Sequence, residues 1–443
     1  MEITKRGIVV GATVFMVSAV AIAGASIHLK GQAFFKDSPK EIVDEVWQII
    51  DRNYVDATFN QVDWQAVRNE YLSRSYSSKE EAYNAIREML KKLEDPYTRF
   101  MDPREFQNMQ IDTQGELTGV GIQLTQDKET KKLVVISPIE NTPAFRAGIQ
   151  AKDIIIKIDG KSTEGMDSNE AVSLIRGPVG TQVTLTILRG NQELVFTLKR
   201  ERIEIHPVRF SYRQTPAGKI GYIRLIQFSS NAAKEMRQAL EELEKQKVDG
   251  YVLDLRSNPG GLLYASIEIA RMWLQEGTIV STVNRKGEME RQIANRQALT
   301  DKPLVVLVDG GSASASEILS GALQDNKRAI LVGAKTFGKG LVQSVRGLGD
   351  GSGLAVTIAK YLTPSGRDIN KNGIQPDVEL KLSEQQIEAL RNDTTKLGTL
   401  EDPQYAKALE ILKQEIAARQ GTRADLVPNK ENKEKLTKPK SPR

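Results

Sequence analysis

The sequence has no cysteine and only two histidines, His28 and His206. Disulfides, thiol catalysis, zinc fingers and any ordinary histidine-rich metal site are therefore excluded, and no metal or cofactor is expected. The missing cysteine leaves the redox compartment open, since such a chain suits either. Neither sign of charge dominates: the net charge is +5, and the stretch Asn429 to Arg443 alone holds six lysines and arginines. A short basic run with prolines reads as a solvated, disordered tail at 429–443. The near-neutral remainder argues against a nucleic-acid partner.

Long apolar runs are absent except at the N-terminus. There, Lys5 and Arg6 precede an uncharged run from Gly7 to Leu29. A bilayer core needs about 20 apolar residues, whereas the apolar part of a signal peptide has about 7–15. The run favours an uncleaved membrane helix, with Ala21, Ala23 and Ala25 offering a cleavage site to the signal-peptide alternative. Basic residues ahead of it place the rest of the chain outside the cytoplasm.

The 443 residues, 40% apolar and 27% charged, suit a globular protein of two or three domains. Beyond the N-terminal segment (1–30), a helical region is expected over 31–112. Ile42, Val46, Ile49 and Ile50 have helical spacing, and further helices are expected near Asp63–Arg74 and Ser78–Lys92. Short alternating strands, turns and two helices make 113–200 a small β-rich domain. From 201 to 395 the apolar runs Gly221–Leu225, Tyr251–Leu255, Leu304–Val308 and Ala329–Val332 alternate with helices. That pattern predicts an α/β core with buried strands. A further helix is expected within 396–428.

Chemistry concentrates at three turns. In Val306–Ile318 a strand gives way to Asp309-Gly310-Gly311-Ser312-Ala313-Ser314-Ala315-Ser316-Glu317 and then to a helix. A serine there sits beside free helix N–H groups, which favour a developing negative charge. The same serines suit plain helix caps, so the segment by itself leaves both readings open. A nucleophilic serine needs a base. His28 lies in the apolar N-terminal run and His206 precedes Pro207, so a Ser–His–Asp triad has one poor candidate. Lysine can serve if burial lowers its pKa from about 10.4 toward 7–8. Lys339, among small and apolar residues in Thr336-Phe337-Gly338-Lys339-Gly340, fits that need, although a surface lysine in a glycine turn would look the same. The third turn, Arg256-Ser257-Asn258-Pro259-Gly260-Gly261, could bring a backbone amide close to an oxyanion or be an ordinary β–α turn. Gly333–Lys339 also matches most of a phosphate-binding loop, but Gly340 stands where Ser or Thr must hold magnesium.

Together, Gly311–Glu317, Thr336–Gly340 and Arg256–Gly261 resemble the carboxyl-terminal processing (tail-specific) proteases, in the family's order and spacing, from about Lys40 to Leu380. Asp95-Pro96-Tyr97-Thr98-Arg99-Phe100 adds a likeness to cyanobacterial and chloroplast members. The resemblance implies a multidomain α/β fold with a ClpP/crotonase-like protease core and a PDZ-like domain at 113–200. It implies Ser314 as nucleophile, Lys339 as general base, and Gln343, one helical-turn spacing beyond, as the residue orienting it. The amides of Gly260 and Ala315 would form the oxyanion hole, and Asp325 would give structural support. Gly119, Val120, Gly121 and Ile122 would hold a substrate's terminal carboxylate, with Arg176 coupling tail binding to the active site.

The expected activity is thus serine endopeptidase action near protein C-termini on the periplasmic or thylakoid-lumen side. Expected partners are proteins with exposed tails and the membrane, with a homo-oligomer left open. The competing reading is a membrane-tethered PDZ adaptor whose hydrolase-like domain is inactive. An α/β-hydrolase is disfavoured, because Ser312 and Ser316 stand where a G-x-S-x-G elbow needs glycines.

Overall fold

The computed structural model describes residues 38–127, 130–139 and 141–426. The expected N-terminal membrane helix and the basic tail lie outside the described residues. Among the described residues, no helix is long and apolar enough to cross a membrane. The chain forms two compact units, one comprising residues to 107, 210–228 and 236 onward, the other 108–209 and 229–235.

The first unit begins with helices Pro39–Asn53, Trp64–Ser73 and Lys79–Lys91. Pro39 opens the first, while Asp63 and Ser78 cap the next two by accepting from the amides of Ala66 and Glu81. Ile42, Val46 and Ile50 point into one cluster with Trp47, Trp64, Ile86 and Met89. Phe100, Leu354 and Val356 of an antiparallel sheet close the same cluster. In that sheet, Gly353–Leu362 pairs with Arg99–Met101, Thr278–Asn284 and Leu341–Gly347. Met289–Ile293 pairs on the far side of Thr278–Asn284.

A second sheet carries the α/β character. Strands Gly218–Leu225, Gly250–Asp254, Leu304–Val308, Ile330–Gly333 and Val378–Glu379 lie side by side, each parallel to the next. Gly250–Asp254 and Leu304–Val308 are buried at every position, which is why the sequence shows unbroken apolar runs there. Val252, Val305, Leu307 and Val332 pack against Tyr405, Ala408, Leu409 and Leu412 of the long helix Pro403–Leu426. Helices Leu263–Trp273 and Ala315–Asp325 pack on one another.

The second unit is a sheet ordered Ile122–Gln126, Leu133–Pro138, Ile154–Ile158, Gln182–Arg189 and Gln192–Lys199, with antiparallel neighbours. Val183, Leu185 and Ile187 alternate inward to its core, joined by Val120, Leu133, Ile155 and Ala171. Glu116–Gly119 pairs with Glu201–Glu204, closing the unit where the chain enters and leaves it. Ile122–Gln126 is an edge strand.

Candidate active site

The strand Leu304–Val308 ends in the turn that holds the three serines. Ser312 is fully buried and donates to the Leu255 carbonyl (2.8 Å), and Ser316, also buried, donates to the Asn258 carbonyl (2.9 Å). Both tie their turn to the Arg256–Gly261 turn beside it. Ser314 is the half-exposed one, and its backbone stands at φ 54°, ψ −112°. Positive φ with that ψ is sparsely populated for a residue with a Cβ, and such geometry persists only where neighbours enforce it. Ala315 then starts the helix Ala315–Asp325, and its amide has no partner among the described residues.

The glycine turn touches this corner. Gly260 has φ 101°, and a Cβ there would lie 2.7 Å from the Ala313 carbonyl oxygen and 2.9 Å from the Ala315 nitrogen. No other residue fits so close an approach. The Gly260 amide itself donates to Asn258 Oδ1 (2.9 Å), and Asn258 in turn donates to the Leu225 carbonyl (2.8 Å). That amide, expected to face an oxyanion, is thus already committed, whereas the amide of Gly261 has no partner among the described residues.

Lys339 sits where the loop after strand Ile330–Gly333 enters strand Leu341–Gly347. One fully buried carboxylate joins it to the serine turn. Glu317 Oε2 accepts from the amides of Ser314 and Lys339, both at 2.9 Å. Its Oε1 accepts from the Gly338 amide (2.8 Å) and Thr336 Oγ1 (2.6 Å). The Tyr361 hydroxyl spans the same two segments, donating its one proton to the Lys339 carbonyl with the Ser314 carbonyl 3.2 Å away. Burial pushes the Lys339 amine below the usual lysine value; Arg99 adds to this, while Asp95 and Glu317 act against it. No hydrogen bond links the Ser314 hydroxyl to the Lys339 amine here. The amine lies over the Tyr97 ring, 4.9 Å from its centroid.

Two expected residues stand apart from that corner. Gln343 is on a strand rather than one helical turn beyond the lysine, and a bulge separates it from Val342. Its side chain donates to Thr357 Oγ1 (3.4 Å) and not to Lys339. Asp325 lies at the opposite end of the Ala315–Asp325 helix, roughly 16 Å along its axis from Ser314. It accepts from the Ser365 amide (2.9 Å) and hydroxyl (2.7 Å) and pairs with Arg367, which makes it an anchor for the 363–367 turn.

In the second unit, Gly119 ends the strand Glu116–Gly119 and Ile122 begins the edge strand. Between them Val120 is buried and Gly121 has φ 80°. Their carbonyls accept from Ala144 (2.9 Å) and Ile139 (2.8 Å), while their amides have no partner among the described residues. Arg176 caps the C-terminus of helix Ser168–Ile175 and donates to Asn108 Oδ1 (2.7 Å).

Known proteins align with this arrangement along nearly the whole chain. Residues 219–380 match Peptidase family S41, 108–188 the PDZ domain, and 35–91 the Tricorn protease C1 domain. The carboxyl-terminal-processing protease of Synechocystis sp. is 47% identical over 396 residues, covering 88% of this chain and 91% of the relative. The chain belongs to the carboxyl-terminal-processing proteases. The chloroplastic carboxyl-terminal-processing peptidase 2 of Arabidopsis thaliana is 42% identical over 378 residues, 82% of this chain and 72% of its own. Among solved structures, the photosystem II D1 C-terminal processing protease superposes with a TM-score of 0.56 at 38% identity, over 83% of this chain and 99% of its own. The chain is therefore a multidomain α/β serine protease of family S41 with a PDZ domain.

For a carboxyl-terminal-processing protease the most connected residue of this corner is Glu317, to which the sequence reading assigned no role. Its signal was present: Ser314-x-x-Glu317 is the spacing of a capping box, whose glutamate reaches back to the amide of the first residue. Tyr361 and Tyr97 had no comparable signal, because their contacts depend on strand pairings between distant segments.

Proposed function

We propose that Ser314 is the nucleophile and Lys339 the general base of this protease, cutting proteins near their C-termini. The observation that carries the reading is the shared acceptor, Glu317 Oε2, which holds the amides of both residues at 2.9 Å in one rigid frame. The neutral Lys339 amine takes the Ser314 proton as Oγ attacks the scissile carbonyl. The Ala315 amide, joined by that of Gly260 once it leaves Asn258 Oδ1, stabilises the oxyanion. The ammonium returns its proton to the leaving amine, and water activated by the freed amine hydrolyses the acyl-enzyme. Burial of the amine supports this role, since a base must be neutral at working pH. Gln343, as it stands, would act on the lysine only after leaving Thr357.

In the PDZ unit, we assign the amides of Val120 and Gly121 to a substrate's terminal carboxylate. The preceding residues would add a strand along Ile122–Gln126, whose outer edge has no partner strand among the described residues, beside helix Ser168–Ile175. Arg176 is assigned to sensing the bound tail. Domain limits of 31–112, 113–200, 201–395 and 396–428 and a ClpP/crotonase-like core go with this reading. Export to the periplasmic or lumenal side, with 1–30 as anchor or signal, rests on Lys5, Arg6 and the uncharged run Gly7–Leu29.

The test is cleavage of an unstructured protein with an apolar tail. Ser314→Ala and Lys339→Ala should each lower kcat at least ~10³-fold, while tail binding is retained. Undiminished turnover in either variant overturns the assignment.

A further inference from the structure

We propose that the Tyr97 ring is the resting seat of the Lys339 ammonium, making Tyr97 a positioning residue that sets when the base becomes available. The proposal rests on the reading of Lys339 as general base. Its geometry is direct: the amine lies 4.9 Å from the ring centroid, within the range of a cation–π contact, and does not reach the Ser314 hydroxyl. The tyrosine hydroxyl is held protonated by burial, then by Asp95 and Glu317, so the ring meets the amine as a neutral π face.

The seat is built into the fold. Asp95 Oδ1 accepts from the Tyr97 amide (2.9 Å), and its Oδ2 accepts from the hydroxyls of Thr98 (2.7 Å) and Thr357 (2.7 Å). Thr357 lies on the strand that pairs with both Arg99–Met101 and the Leu341–Gly347 strand entered just after the lysine. Gln343 donates to the same Thr357 hydroxyl. The segment bearing the ring is thereby fixed to the sheet bearing the base.

The charged and titratable groups around the amine divide. Arg99, from the segment of Tyr97, opposes its charge. Asp95, from that segment, and Glu317, from the serine helix, favour it. The ring adds to the second group, because a π face attracts an ammonium and not an amine. Losing the proton removes that attraction and frees the side chain to swing toward Ser314. The seat thus holds the inactive, protonated form, and the ring delays activation as pH rises.

The sign of the effect follows. Weakening the ring destabilises the ammonium, so the neutral base appears at lower pH and the acid limb of kcat/KM moves down. Tyr97→Leu should move that limb by about 0.4–1.5 pH units, and Tyr97→Phe should leave it nearly in place. Replacing Tyr97 with phenylalanines of increasing fluorination keeps the shape while draining the π face, and should move the limb downward stepwise. That series answers the question even if the leucine variant fails to fold. Competitive acylation of Lys339 across pH, followed by mass spectrometry of its peptide, reads the same titration without catalysis. A downward shift in both measurements supports the proposal. An unchanged acylation titration along the fluorinated series overturns it. A shift in acylation with an unmoved activity limb keeps the seat and overturns the reading of Lys339 as base.

Discussion

Glu317 has no solvent around it and four donors aimed at its two oxygens. Glutamine at this position has the same shape but one acceptor oxygen, so two donors would face an amide N–H. Hydrogen bonds to a charged group contribute about 1.5–3 kcal/mol each. Glu317→Gln is therefore expected to cost ~3 kcal/mol or more of stability in urea unfolding. Because the lost donors include backbone amides of the serine or lysine turn, kcat should fall roughly 100-fold with little change in KM. A variant of normal stability and kcat would show that the carboxylate charge is not needed there.

The Arg256–Gly261 turn is held from below by a network that reaches another element. Arg256 is buried and donates to Asp254 (2.6 and 2.9 Å), to Asp402 (2.6 and 3.0 Å) and to Gln404 (3.0 Å). Asp402 immediately precedes the helix Pro403–Leu426, so one guanidinium joins the glycine turn to the start of that helix. Arg256→Met would leave two buried carboxylates without their cation, at a cost of about 3–5 kcal/mol. Chemical denaturation should show that loss, and Arg256→Lys, lacking the planar fork, should recover only part of it. At this level the sequence was readable where periodicity was strong. The parallel strands appear as unbroken apolar runs, and the N-terminal helices as spaced ones with cap residues. The antiparallel sheet was not readable. Leu341–Gly347 carries glutamine, serine and arginine without strict alternation, and Gly353–Leu362 is buried continuously over its first five residues rather than alternately. The spacing from Lys339 to Gln343 equals a helical turn, and only pairing with Gly353–Leu362 makes it a strand. Ser314 and Lys339 stood out through glycine-rich turns at strand ends, whereas Glu317 looked like one more letter of a motif. The commitment of the Gly260 amide depends on an Asn258 rotamer that no sequence pattern encodes.

Several carboxylates of both units are held ionised by the fold, which sets the acid stability of the protein. For Asp254, burial would raise the pKa, but Arg256 and the Tyr222 hydroxyl outweigh it and hold it below the ordinary value. Asp153 is likewise raised by burial and lowered further by Arg189. Folded pKa values below the unfolded ones, near 3.9 for aspartate, mean that this stability is complete above about pH 5. It is lost as pH falls through 4 and through the lower folded values. The melting temperature should accordingly stay level from neutrality to about pH 5 and drop steeply below 4. A level profile down to pH 3 would contradict that balance. The division of the chain has a separate consequence for its synthesis. The unit of residues 108–209 and 229–235 interrupts the other, whose parallel sheet needs strands up to Val378–Glu379 and the covering helix Pro403–Leu426. Translation therefore delivers every residue of the PDZ unit before it reaches Glu317 or Lys339. A growing chain thus holds every residue proposed for tail recognition before the carboxylate and the lysine proposed for cleavage have been made.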